Sequence, residues 1–145
     1  MDFKVEHSSS RLPIGGDVDK NETSDKVVLV IEDEPTILFA FQETVLRKGF
    51  TCVSASDGRE GLAKARELKP DLIITDIVMP KLDGLALCAA LKGDPAYSHI
   101  PIIVVTARSQ YSDYQAGMEA GADAFIEKPF KIRDLRSEID RCLVE

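Results

Sequence analysis

The sequence has no long apolar run and no cluster of basic residues. No segment approaches the roughly 20 apolar residues that a transmembrane helix requires, and no apolar stretch follows the charges near the N-terminus, as a signal peptide would need. The 145 residues carry a formal net charge of -7. This charge argues against nucleic-acid binding, because affinity for phosphate backbones comes largely from clustered Lys and Arg. We therefore expect a cytoplasmic protein that contacts neither a membrane nor nucleic acid.

Cysteine is also scarce. The three cysteines, Cys52, Cys88 and Cys142, are odd in number, far apart and surrounded by apolar residues. This spacing is typical neither of a disulfide framework nor of a metal site. We expect reduced thiols in the core, without a functional role.

Residues 1–25 contain few apolar side chains. Serines, glycines and scattered charges dominate this stretch, and too little apolar surface is present to offset the entropy cost of ordering it. We predict a flexible leader over residues 1–25 and a single domain over residues 26–145. The apolar content of 44% is enough for one core of ordinary size.

Five short apolar runs alternate with five helical patterns in the rest of the chain. The predicted strands are Val27 to Ile31, Thr51 to Ala55, Leu72 to Asp76, Ile102 to Val105 and Ala124 to Ile126. The predicted helices are Pro35 to Lys48, the Asp57 cap to Leu68, a segment between Gly84 and Gly93, Asp113 to Ala120, and Ile132 to Leu143. Parallel strands need crossover connections, usually helices, which cover both faces of the sheet. The alternation therefore predicts a doubly wound α/β fold.

Chemically active side chains follow four of the five predicted strands. They are Glu32 and Asp33 after the first strand, Asp76 at the end of the third, Thr106 after the fourth and Lys128 after the fifth. Open parallel sheets bind ligands in a crevice at the carboxyl ends of their strands. We expect all of these side chains to line one crevice.

Three carboxylates in one crevice repel one another, so either a proton is taken up or a cation lies among them. Oxygen ligands favour Mg²⁺, or Mn²⁺ in its place, and the lack of nearby His or Cys argues against zinc. The alternative is that Glu32 and Asp33 only cap a helix and that Asp76 is an ordinary turn residue. Asp76 and Lys128, at the ends of two other strands, favour the metal site over capping alone.

A metal, a lysine and a hydroxyl around a carboxylate are the groups that phosphoryl transfer requires, because the charged phosphoryl oxygens must be neutralised. Asp76 is then the nucleophile and forms an acyl phosphate. In this hypothesis Mg²⁺ holds one phosphoryl oxygen, Lys128 a second, and the Thr106 hydroxyl with nearby backbone N–H groups the third.

Four motifs resemble those of a response-regulator receiver domain of two-component signalling, and the resemblance extends from Lys26 to Glu145. The motifs are VLVIEDEP, LIITDIVMPKLDG, IIVVTA and GADAFIEKPF. The resemblance implies a flavodoxin-like fold with strand order 2-1-3-4-5 and five helices. It also implies a cis Lys128–Pro129 peptide.

The resemblance implies roles for individual residues. They are Asp76 as phosphoacceptor; Glu32, Asp33, Asp76 and the Val78 backbone carbonyl at the metal; Thr106 and Lys128 as the phosphoryl-sensing pair; Phe125 as the aromatic switch; and Val78 and Arg108 beside the attacking water, tuning phosphate lifetime. Glu32 departs from the family, which more often has Asp there, and its extra methylene implies contact with the metal through water. For Phe125 the alternative is a plain core residue, because aromatic residues in buried strands usually are.

The implied function is phosphorelay signalling. Neither His7 nor His99 lies on a helical face suited to a phosphodonor, so the donor is expected to be a histidine kinase or a phosphotransfer protein. Output is expected through a phosphorylation-dependent protein partner or self-association at the fourth helix, fifth strand and fifth helix. The chain would catalyse only its own phosphorylation and dephosphorylation, and it would not be an enzyme otherwise.

Three other interpretations remain open at this stage. Because no further module follows Glu145, we expect a stand-alone receiver, yet a fragment of a hybrid kinase or of a longer regulator would have the same residues. A small phosphatase with an Asp nucleophile is disfavoured, because such enzymes carry an acid/base residue where Val78 stands. A non-phosphorylated interaction module is disfavoured because the whole constellation is intact.

Overall fold

The computed structural model describes residues 25–106 and 111–143. Strands and helices alternate along these residues. They are β1 Val27–Ile31, α1 Pro35–Arg47, β2 Thr51–Ala55, α2 Gly58–Leu68, β3 Leu72–Asp76, α3 Gly84–Lys92, β4 Ile102–Thr106, α4 Tyr111–Glu119, β5 Ala124–Glu127 and α5 Ile132–Leu143. The predicted leader lies outside the described residues, apart from its last residue, Asp25.

The strands form one parallel sheet in the order β2-β1-β3-β4-β5. The fold class predicted from the alternation and the strand order implied by the motif resemblance are both confirmed. In the register of the sheet, Asp76 lies beside Val105, and Thr106 lies beside Glu127. The polar residues at the ends of β3, β4 and β5 are therefore brought to one edge of the sheet.

The core has one layer on each face of the sheet. Alternate residues of β1 point to opposite faces, as the period of a strand requires: Leu29 belongs to the cluster that contains Leu87 of α3, and Val30 belongs to the cluster that contains Phe41 of α1. Every residue of β3 and β4 is buried. The ends of these two strands are consequently fixed by packing on both sides.

The ends of several elements differ from the predicted ones by one or two residues. The fourth helix begins at Tyr111 rather than Asp113, because its polar start has no apolar periodicity to mark it, and β5 continues to Glu127, which pairs with Thr106. Gly49 and Gly121 follow α1 and α4 with φ of 88° and 100°, the left-handed conformation that ends helices.

The predicted cap of α2 is confirmed. The Asp57 carboxylate accepts a hydrogen bond from Glu60 N at 2.8 Å, and the Glu60 carboxylate in turn accepts one from Ser56 N at 2.9 Å. The first bond satisfies a backbone donor that the first turn of a helix leaves without a partner, and the second ties the residue before the cap to the helix. The start of α2 is therefore well defined.

Cys52 and Cys88 are buried, Cys142 is partly buried, and all three are thiols rather than disulfides. Within the described part of the chain, no helix is long and apolar enough to cross a membrane.

Candidate functional site

Three carboxylates meet at the carboxyl edge of the sheet. One oxygen each of Glu32, Asp33 and Asp76 lies within 4.8 Å of the others. Glu32 N donates to the Ala55 carbonyl at 3.0 Å, which extends the β1–β2 pairing by one residue and draws Glu32 inward. As a result Glu32 is only 1% exposed, whereas Asp33 faces solvent.

Lys128 is placed against two of these carboxylates. Its Nζ lies 2.8 Å from Asp76 Oδ2 and 3.6 Å from Glu32 Oε1. Its backbone N–H donates to the Thr106 carbonyl at 2.6 Å, which ties the residue after β5 to the end of β4. The Lys128–Pro129 peptide is cis, as the family resemblance implied.

Phe130, which follows the Lys128–Pro129 peptide, anchors this segment to α1. Its ring stacks on Phe41 with a centroid separation of 5.5 Å and an interplanar angle of 19°. Phe41 is completely buried, so the stack fixes the chain directly after Lys128. The apolar periodicity of the chain does not predict this stack.

Both carboxylate oxygens of Asp76 have partners. Oδ1 accepts from Ile77 N at 2.7 Å, and Oδ2 accepts from Lys128 Nζ. The backbone directly after Asp76 is fixed as well, because Gly84 N donates to the Ile77 carbonyl at 2.8 Å. A Cβ at Gly84 would approach the Asp76 carbonyl oxygen to 2.0 Å, so only glycine permits this contact. The carboxylate of Asp76 is therefore held in one orientation.

The buried carboxylate of Glu32 is incompletely satisfied. Oε2 accepts from Glu34 N at 3.1 Å, but Oε1 has no hydrogen-bond partner among the described residues. Burial, followed by the charge of Asp76, raises the pKa of Glu32 to about 7. Burial disfavours the charged form of Lys128, but the hydrogen bond to Asp76 and the charges of Asp76 and Glu32 outweigh it and raise the pKa of Lys128.

This arrangement fits a hard divalent cation. One buried carboxylate oxygen, which has no hydrogen bond within the described part of the chain, lies beside two further carboxylates, and the group contains neither His nor Cys. Mg²⁺ prefers oxygen ligands and keeps several of its waters, so a site with one exposed carboxylate suits it. The residues present are therefore consistent with a magnesium site.

The raised pKa of Glu32 predicts how stability changes with pH in the presence of EDTA. The folded chain holds this proton more tightly than the unfolded chain, so the free energy of unfolding should fall as the pH rises from about 4.5 to about 7. Glu32→Gln cannot ionise, and its unfolding free energy should lack this fall. Urea unfolding of both proteins across this range tests the prediction, and identical pH profiles would contradict it.

The other predicted residues lie around this cluster. Thr106 is buried at the end of β4, and Val78 is 59% exposed just beyond Asp76. The ring of Phe125 is half-buried and lies against α4, since a Cβ at Gly117 would approach Phe125 Cε1 to 2.6 Å. Phe125 also packs against the core cluster that contains Leu87. Arg108 lies outside the described residues.

Residues 28–140 match the family described as the response regulator receiver domain. The chain belongs to this family. Receiver domains are signalling domains rather than classical enzymes, generally bind Mg²⁺ at an acidic pocket, and interact with histidine kinases or phosphotransfer proteins. The family predicted from the motifs is confirmed, and the receiver domain acts in two-component signalling.

Similar receiver sequences occur in two kinds of larger protein. The chain is 38% identical over 118 residues to the alkaline phosphatase synthesis transcriptional regulatory protein PhoP of Bacillus subtilis, covering 81% of this chain and 48% of PhoP. It is 34% identical over 122 residues to histidine kinase P4 of Formosa agariphila, covering 84% of this chain and 9% of the kinase. The chain thus spans about half the length of the transcriptional regulators it matches.

Solved receiver structures have the same fold. The signal receiver domain of a histidine kinase from Syntrophus aciditrophicus gives a TM-score of 0.76 at 38% identity, covering 81% of this chain and 89% of that one. The chemotaxis response regulator CheY4 of Vibrio cholerae gives 0.77 at 31% identity, covering 83% of this chain and 100% of that one.

Proposed function

We propose that this receiver relays phosphoryl groups through Asp76. A histidine kinase or a phosphotransfer protein donates the group in a Mg²⁺-dependent reaction, and a protein partner reads the resulting change. The observation that carries the proposal is the 2.8 Å contact between Lys128 and Asp76 beside the unsatisfied oxygen of Glu32. The proposed receiver domain covers residues 26–145, and the proposed compartment is the cytoplasm.

Asp33, Asp76 and the backbone carbonyl of Val78 would hold the magnesium ion, with Glu32 contacting it through water. When bound there, Mg²⁺ would neutralise charge that builds up on the phosphoryl oxygens. Lys128 supplies a second positive charge that is already in place. The hydroxyl of Thr106 is proposed to donate to a third oxygen after transfer.

In the transfer step, a carboxylate oxygen of Asp76 attacks phosphorus in line with the leaving group. The new O–P bond forms while the P–N bond to the donor histidine breaks, and the departing imidazole nitrogen takes a proton from water. The product is an acyl phosphate. No base is needed, because Asp76 attacks as a carboxylate. The chain would catalyse only this reaction and the hydrolysis of its own phosphate.

The direct test uses acetyl phosphate, a small donor that needs no kinase. Incubation with acetyl phosphate and Mg²⁺ should add the mass of one phosphoryl group to the intact protein, and EDTA should prevent the addition. An unchanged mass with Mg²⁺ would contradict the proposal.

The exposed side chain of Val78 is proposed to set the lifetime of the phosphate, with Arg108 as the second such position. Valine cannot hydrogen-bond the attacking water, so Val78→Ala should change the hydrolysis rate little. Val78→Asn should speed it about fivefold, the effect of one added hydrogen bond of ~1 kcal/mol. The decay of the phosphorylated mass over time measures both rates. Equal lifetimes for the wild type and the Asn variant would remove this assignment.

The proposed output surface consists of α4, β5 and α5. Met118 on α4 and Ile132 on α5 are exposed apolar side chains, and the ring of Phe125 lies between β5 and α4. Phosphorylation is expected to draw Thr106 toward the new oxygens and to let Phe125 turn inward. This is a shift between two populations of side-chain conformations.

Beryllofluoride, a phosphoryl mimic, tests this output. Self-association or partner binding should change when the mimic is added to the wild type. Thr106→Ala and Phe125→Ala should lose most of that change while still binding the mimic. If both variants respond as the wild type does, the output surface lies elsewhere.

A second candidate is a receiver that forms part of a larger protein. The similarity to histidine kinase P4 and the partial coverage of PhoP support it. The site chemistry proposed here would be the same in either case.

A further inference from the structure

The N-terminus of α2 is in backbone contact with the loop that follows Asp76. Residues 77–83 connect β3 to α3, and we call them the acceptor loop because they follow the proposed phosphoacceptor, Asp76. Gly58 N donates to the Pro80 carbonyl at 3.3 Å, and Leu82 N donates to the same carbonyl at 2.8 Å. The helix and the loop therefore share one hydrogen-bond acceptor.

The contact is closest at Gly58. A Cβ built there would lie 1.7 Å from the Leu82 carbonyl oxygen and 2.6 Å from its carbonyl carbon, whereas real Cβ contacts are essentially never below 3.0 Å. Both neighbours are backbone atoms, so no side-chain rotation relieves the overlap. Any side chain at position 58 therefore requires the backbone of Leu82 or the start of α2 to shift.

The acceptor loop has little freedom to absorb such a movement. Its first residue is held where Ile77 N donates to the Val105 carbonyl at 3.1 Å, and its end is held where Gly84 N donates back to Ile77. Between these points Lys81 already has φ of 73°, a conformation that is unfavourable for a side chain of this type. A displacement at Leu82 would therefore have to be absorbed by the residues between these two points, and Val78 is one of them.

We propose that Gly58 is a positioning residue for the phosphorylation site. This inference rests on the proposed function, in which the Val78 carbonyl is a metal ligand. Because Gly58 has no side chain, the acceptor loop can lie against α2. The position of the loop would in turn fix where the Val78 carbonyl could contact Mg²⁺. Mutation of a residue that orients metal ligands typically costs about 10-fold to 100-fold in metal affinity.

Gly58→Ala and Gly61→Ala form a matched pair for the test. Both glycines lie in α2 and are buried, and an added Cβ at Gly61 also overlaps a neighbour, at 2.5 Å from Ile31 Cδ1. That neighbour is the end of a side chain on β1, not the acceptor loop. Both variants should lose stability, but only Gly58→Ala should disturb the metal site.

Calorimetric titration with Mg²⁺ alone, in an osmolyte that favours the folded state, gives the affinities. Gly58→Ala should bind Mg²⁺ about tenfold more weakly than the wild type or worse, and Gly61→Ala should match the wild type. If Gly58→Ala and Gly61→Ala bind Mg²⁺ with equal affinity, the inference is overturned. The proposed function stays intact in that case, provided that the wild type binds Mg²⁺ and takes up phosphate. A wild type that binds no Mg²⁺ would overturn both.

Hydrogen exchange in the wild type gives a second measurement that does not depend on a variant. If the acceptor loop both contacts Gly58 and carries a metal ligand, binding of Mg²⁺ should also hold the loop against α2. Saturating Mg²⁺ should then slow hydrogen exchange of the Gly58 amide, which donates to the acceptor loop. The Gly61 amide donates to Asp57 within the helix at 2.9 Å and should be unaffected. An unchanged Gly58 amide would count against the coupling even if Gly58→Ala did not fold.

Discussion

The Asp76→Asn variant should take up no phosphoryl group from acetyl phosphate while keeping the fold. The amide has the shape of the carboxylate and can still accept the hydrogen bond from Ile77 N, but it lacks the nucleophilic charge. Replacing the charge also removes the repulsion that, after burial, raises the pKa of Glu32. The variant also loses the carboxylate charge that lies 2.8 Å from Lys128 Nζ, so the two effects on stability oppose each other. We therefore expect a native circular dichroism spectrum and a cooperative unfolding transition at pH 7.

Asp83→Asn is the matched control for this variant. Asp83 lies in the same loop and caps α3 by accepting from Ala86 N at 2.8 Å, a role that Asn also performs well. Its phosphorylation should equal that of the wild type. Phosphate on the Asp76→Asn protein would place the acceptor at another residue.

The Lys128→Met variant should show the second largest effect. Removing one preorganised group that stabilises transition-state charge costs about 100-fold to 1,000-fold in rate, so phosphorylation by acetyl phosphate should slow by about this factor. Mg²⁺ affinity should not weaken, because the lost charge repelled the ion. A slower phosphorylation rate with unchanged Mg²⁺ affinity distinguishes loss of Lys128 from loss of a metal ligand. Loss of a metal ligand would lower both the rate and the affinity.

Lys92→Met provides the control. The side chain of Lys92 is 16% exposed and that of Lys128 is 18% exposed, and each lies 2.8 Å from an aspartate, Asp123 in the first case and Asp76 in the second. Removing Lys92 should cost stability and leave the phosphorylation rate unchanged. An equal loss of rate in both variants would show that Lys128 acts only by stabilising the fold.

The meeting of Asp76 with Lys128 could be predicted even though 52 positions separate them in the chain. Each follows a short apolar run, and the alternation of such runs with helices fixes a parallel sheet whose strand ends share one edge. The strand order came from the motif resemblance rather than from the alternation, because the physical pattern alone allows more than one order.

The different environments of Glu32 and Asp33 could not be predicted from sequence. The two residues are adjacent and both acidic, and the hydrogen bond from Glu32 N to Ala55 decides which side chain is buried. The contact between Gly58 and Leu82 was missed for a similar reason. A glycine in the first turn of a capped helix has no local feature that reveals a backbone from elsewhere in the chain lying against it.

The central claim is that Asp76 carries the phosphoryl group in a Mg²⁺-dependent reaction. The most direct measurement is peptide mapping by mass spectrometry after treatment with acetyl phosphate, with and without Mg²⁺, using borohydride to trap the acyl phosphate. We expect modification at Asp76 alone, and only when Mg²⁺ is present. Modification at any other residue, or equal modification of Asp76 in EDTA, would contradict it.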